Sequence, residues 1–210
     1  MKAVYFLSVA ASIVAILLTG CISLHQTQPP VEFYTLEYDP PAFQETAPLP
    51  FIIKIEPFST SPVYDSERMA LKKQKFKRDE YVYHKWRALP GEMVAAFLAR
   101  DFAESGRFQA VIASESVPTY SHLLAGHVEE FFKLQENGSC RAVLAVQITL
   151  SGLMHRNLQD AVLLQKRYAR SEACPDSTPA AFVEAMSRAM QSVSGQIIQD
   201  VYTSLAAHDE

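Results

Sequence analysis

A thiol stands at the end of an uncharged apolar run: Leu18-Thr19-Gly20-Cys21 closes the stretch from Ala3 to Leu18, and Met1-Lys2 supplies a positive start. A positive end, an apolar segment and small residues, in that order, form a secretory signal. Small side chains at 19 and 20 let an extended chain enter a peptidase cleft, and the Cys21 thiol behind them can accept a diacylglycerol. This lipobox predicts cleavage before Cys21, a diacylglycerol on its sulfur and an N-acyl chain on the new terminus. The apolar run is shorter than the roughly 20 residues that span a bilayer core, which disfavours a permanent transmembrane helix. One acyl chain binds a membrane marginally, whereas two or three anchor it stably. Ile22 and Ser23 follow the cysteine, without the aspartate that commonly retains lipoproteins at the inner membrane. The expected location is therefore the periplasmic face of the outer membrane.

Two thiols remain, Cys140 and Cys174. In an oxidising periplasm such a pair reads first as a disulfide. Residues 141–151 and 161–173 read as two strands. An antiparallel hairpin centred near Asn157 would pair positions that sum to about 314, the sum of 140 and 174. Metal binding by two lone cysteines, with no histidine at ligand spacing, is disfavoured.

The remaining polar groups suggest no reaction. The histidines (25, 84, 122, 127, 155 and 208) are scattered, and His122 and His127 fall on opposite faces of a strand. Adjacent Glu129 and Glu130 are expected to point to opposite faces as well, which argues against a paired-carboxylate site. The chain contains no G-x-S-x-G, H-E-x-x-H, P-loop or G-x-G-x-x-G. No catalytic residue, metal ligand or cofactor is assigned beyond the acyl lipid on Cys21, and the expectation is a protein that is not an enzyme. A net charge of −4 argues against a nucleic-acid partner, which usually requires a basic domain.

Recognition is the chemistry left. Phe33, Tyr34, Tyr83 and Trp86 are partner-binding candidates, since Trp and Tyr are enriched at interface hot spots. The alternative is that they fill the core of a small sheet, and this is the favoured reading for Trp86. Lys72, Lys73, Lys75, Lys77 and Arg78 form a basic run. It could meet anionic lipid or an acidic partner. The expected role is a solvated strand edge or loop, where lysines also discourage edge pairing.

These residues require a scaffold. Residues 1–20 are the signal, 21–30 a lipidated tether with the polar stretch His25 to Pro30, 31–205 one domain and 206–210 a fraying tail. Strands are expected near 32–37, 51–58, 80–86, 108–113, 123–134, 141–151 and 161–173, with Asn137-Gly138 as the strongest turn signal. A helix over 90–105 follows from Val94, Phe97, Leu98 and Phe102 at three- and four-residue steps, with Pro90 in its first turn. A long terminal helix starts at the cap Thr178 and carries Phe182, Met186, Ala189, Val193, Ile197, Val201 and Leu205 at helical spacing. The expected fold class is α+β: a mostly antiparallel sheet with two amphipathic helices packed on one face.

The lipobox, the strand Phe33-Tyr34-Thr35-Leu36, Tyr83-His84-Lys85-Trp86 leading into a helix, Ala125 to Phe131, and the alanine-rich helix from Phe182 to Ile198 resemble, in that order, the ABC-type transport auxiliary lipoproteins. That group includes the paraquat-inducible outer-membrane lipoprotein, and the resemblance spans about 31–205. It implies a non-catalytic component that accompanies an ABC transporter and an MCE-type protein carrying lipid across the periplasm. It also implies docking of that conduit at the outer membrane and the option of a homo-oligomer. The alternative is an outer-membrane lipoprotein that assembles or activates another envelope complex, such as a cell-wall synthase.

Overall fold

The longest apolar alternation in the chain becomes the middle of the sheet: Ala142, Leu144, Val146, Ile148 and Leu150 are all 0% exposed. They lie on β8 (Ser139–Gly152), which pairs antiparallel with both β7 (His122–Glu136) and β9 (Val162–Ala173). From Arg141↔Ala173 to Leu150↔Leu164 every β8–β9 pair sums to 314, the register expected from the sequence. Just beyond that ladder the Cys140 and Cys174 sulfurs are bonded at 2.00 Å. The β7–β8 turn carries Gly138 at φ +78°, a conformation glycine adopts without a Cβ penalty. The computed structural model describes residues 28–113, 119–136, 138–153 and 161–207. Cys21 and the β8–β9 turn expected at Asn157 lie outside them.

The other side of β7 carries three strands in succession, all parallel to it. β2 (Leu49–Ile55) pairs beside His122–Leu124, β3 (Ser59–Thr60) beside His127–Val128, and β4 (Arg68–Gln74) beside Lys133–Leu134. β2 carries β6 (Phe108–Ile112) in parallel. β4 turns into β5 (Lys77–Trp86) as an antiparallel hairpin, and β1 (Glu32–Tyr34) lies parallel to β5. The long ladders are thus antiparallel, and the short joints between them are parallel.

Helix α1 (Pro90–Glu104) buries Met93, Val94, Leu98 and Phe102. Helix α2 (Pro179–Ala206) buries the whole stripe from Phe182 to Leu205, and the Thr178 hydroxyl accepts from the Ala181 N–H at 3.2 Å as its cap. Both helices pack on the sheet and touch each other, forming one α+β layer with a single core. Among the described residues no helix is long and apolar enough to cross a membrane.

Of the two readings of Trp86 the structure bears out the favoured one, core filling, and the expectation for Glu129 and Glu130 needs correction. Trp86 is 1% exposed and sits edge-on to Phe131 and Phe182, with ring centroids 5.1 and 5.6 Å away, so it ties sheet to helix rather than meeting a partner. Glu129 and Glu130 are not separated by simple alternation. A bulge between Val128 and Glu130 resets the pleat, and Arg167 of β9 binds both carboxylates, at 2.5 and 3.3 Å.

Candidate functional site

β1 pairs only with β5 among the described strands, so its outer edge is open. On β1 Phe33 is 46% exposed, Val31 just before it is 42%, and Val82, on β5 ahead of the residues that pair with β1, is 70%. β5 has three more residues than β4 between the pairs Arg68↔Lys85 and Ala70↔Glu80, and Val82 lies in that excess stretch. The Arg87 guanidinium stacks on the Phe33 ring at 4.9 Å. Tyr34 and Tyr83 are half-buried.

Next to these apolar groups is a small polar network. The Tyr34 hydroxyl donates to Glu32 Oε2 at 2.5 Å, and His84 Nδ1 lies 3.1 Å from the same oxygen. His84 also packs edge-on against Tyr81, with ring centroids 5.4 Å apart. The hydroxyl bond from Tyr34, helped by the neighbouring His84 ring, holds the Glu32 carboxyl below its usual range against a smaller loss of solvation. That same bond, with burial and the negative charge of Glu32, pushes the Tyr34 phenol up to about 12. At neutral pH the phenol therefore remains a donor and the carboxylate an acceptor. This cluster holds no hydroxyl or thiol activated as a nucleophile. Its chemistry is hydrogen bonding beside exposed apolar side chains. The sequence could not reveal the pairing of Glu32 with His84, because the two are 52 residues apart and meet only through a parallel joint.

The basic run forms the β4–β5 hairpin, with Lys75 and Phe76 at its turn. Arg78 folds back, its guanidinium 5.3 Å from the Phe132 ring centroid and Nε 3.4 Å from the Tyr64 hydroxyl, and Lys77 pairs with Asp79 at 3.4 Å. The expectation is a solvated strand edge or loop, and most of the run is exposed. The surprise is Phe76, which sits at the tip 91% exposed.

The other polar candidates are placed apart from this edge. His127 Nδ1 bonds the Ser59 hydroxyl at 2.8 Å, and His122 packs edge-on against Phe51. Among the described residues no group of three or more His, Cys, Asp or Glu side chains is arranged to hold a metal ion.

Residues 34–198 match the family model described as "ABC-type transport auxiliary lipoprotein component". None of the curated proteins matches the chain by sequence. Among solved structures, a Xanthomonas campestris protein superposes with a TM-score of 0.75 at 14% identity, over 85% of this chain and 99% of that one. A hypothetical protein of Chlamydia trachomatis superposes with a TM-score of 0.53 at 9% identity, over 76% and 99% of the two chains. At these identities the likeness is one of fold. The family match runs from Tyr34, the last residue of β1, through most of α2, and the chain belongs to the ABC-type transport auxiliary lipoprotein components.

Proposed function

We propose that this lipoprotein is held by acyl chains on Cys21 at the periplasmic face of the outer membrane, where it docks an MCE-type protein that carries lipid between the membranes. The observation that carries this reading is the open β1 edge with exposed Phe33, and exposed Val31 just before it, located where the chain enters the domain. An open strand offers backbone groups to an incoming strand, and the aromatic and aliphatic side chains beside it supply apolar contact. The ABC transporter supplies the energy, and this chain supplies position.

The test is to purify the acylated protein from detergent-solubilised envelopes and identify what accompanies it. Recovery of an MCE-type protein with transporter subunits, from the outer-membrane fraction, supports the reading. Recovery of a cell-wall synthase with no MCE-type protein replaces it with the assembly-factor alternative.

A further inference from the structure

The β4–β5 hairpin tip is difficult to explain by folding alone. Phe76 has φ +66°, a left-handed conformation that costs a bulky L residue about 1–2 kcal/mol, and its ring is 91% exposed. Its ring contact is Lys75, whose Nζ lies 5.1 Å from the centroid. Around it the chain concentrates positive charge, with four of its nine lysines within six residues, although its net charge is −4. Among the described residues no carboxylate lies within ion-pair distance of Lys72, Lys73 or Lys75. An exposed aromatic side chain at a turn, with Lys75 on its ring and Lys73 exposed close by in the chain, matches an anionic bilayer surface, where the ring enters the headgroup layer and the ammonium groups meet phosphates.

Strand direction provides an independent argument. β1 is parallel to β5, with Glu32 opposite His84 and Tyr34 opposite Trp86, so the chain enters β1 from the hairpin-tip side. Lys77 lies seven residues before His84, about 23 Å along a strand at ~3.3 Å per residue. Cys21 lies eleven residues before Glu32, a reach of up to ~36–40 Å at ~3.3–3.6 Å per residue. An acylated Cys21 and the hairpin tip can therefore lie on the same membrane surface.

We infer that the Lys75–Phe76 turn rests on the anionic phospholipid surface that holds the anchor, forming a second contact that fixes the orientation of the domain. This rests on the anchorage proposed above. With both contacts made, β5 stands up from the membrane and the β1 edge faces sideways, open to a partner approaching from the periplasm.

The experiment reconstitutes the full acylated chain, carrying Phe76→Trp, into vesicles of phosphatidylcholine with or without phosphatidylglycerol. Buried Trp86 supplies a background that is recorded from the unsubstituted protein. Trp fluorescence at position 76 is expected to shift to the blue, and to be quenched by bromine-labelled lipid, when phosphatidylglycerol is present. Lys72→Gln, Lys73→Gln and Lys75→Gln should each lower the ratio of inserted to water-exposed tip about five-fold. Phe76→Gly suits the backbone conformation and should fold normally, yet it should lose a matching part of the salt-sensitive flotation of acyl-free protein with anionic vesicles. Emission that is identical in neutral and anionic vesicles overturns the inference. A shift seen only on adding an acidic envelope protein also overturns it, in favour of a protein partner. Loss of the anchor itself would be visible separately, as a purified chain without acyl mass, and the flotation arm would still test the tip.

Discussion

Lys133, fully buried on β7, donates from Nζ to the Tyr81 hydroxyl at 2.9 Å and to the Ser177 carbonyl at 2.6 Å. One ammonium group thus joins β7, the residue before the cap of α2, and β5, the strand on which β1 lies. Lys133→Ala leaves a cavity and strands both acceptors, and should cost about 2–4 kcal/mol. Lys133→Met keeps the volume and should cost about 1–2 kcal/mol. Chemical denaturation of the two variants measures both, and equal losses would mean that volume plays no part.

The Cys140–Cys174 bond closes a loop with a sequence separation of 34 at the open end of the β8–β9 ladder. Constraining the unfolded chain in this way stabilises by roughly 2–4 kcal/mol. Reduction, or Cys140→Ser with Cys174→Ser, should lower the denaturant midpoint accordingly while leaving the far-ultraviolet spectrum of the folded state unchanged, since the ladder continues without the bond.

Gly126 on β7 leaves room for Phe58, whose ring lies where a Cβ would stand: the nearest ring atom would be 2.1 Å away. Gly126→Ala should destabilise by about 1–3 kcal/mol. Phe58→Leu should relieve part of that loss, so the double variant should be more stable than the sum of the two single losses implies. Simple additivity would show that the ring moves aside freely.

Tyr38 and Tyr168, together with Tyr34, are expected to limit stability at alkaline pH. Burial, followed by the charge of Asp101, raises the Tyr38 phenol, which donates to Asp101 at 2.8 Å. Burial, followed by the hydrogen bond to Asp200, raises Tyr168. A phenol whose folded pKa exceeds its unfolded value near ~10 contributes stability that is complete below that pH and is lost as pH rises through the folded value. Stability should therefore fall above about pH 10, and Tyr38→Phe should flatten the decline while costing about 1 kcal/mol at neutral pH. The measurement is denaturant midpoint against pH.

The sequence revealed most about elements whose signal is periodic. The 314 register of β8 and β9, the stripe of α2 and its Thr178 cap follow from alternation, helical spacing and capping chemistry, all local properties. The parallel joints of β2, β3 and β4 along β7 left no such trace, because each involves two or three residue pairs from distant segments. The bulge after Val128 was also hidden, since one extra residue in a long strand changes the facing of Glu129 and Glu130 without changing composition. For the aromatic candidates, residue type alone could not separate roles. Phe33 stayed on the surface, while Trp86 closed the core between Phe131 and Phe182.

The central claim is that the β1 edge receives the transport conduit, and a photo-crosslinking side chain at Phe33 tests it most directly. The acylated protein carrying that group is irradiated in intact envelopes, and the adduct is identified by mass. The account predicts an adduct with an MCE-type protein that disappears when the edge is blocked by Val31→Pro. An adduct with a cell-wall synthase, or with other proteins to the exclusion of any MCE-type one, would contradict it.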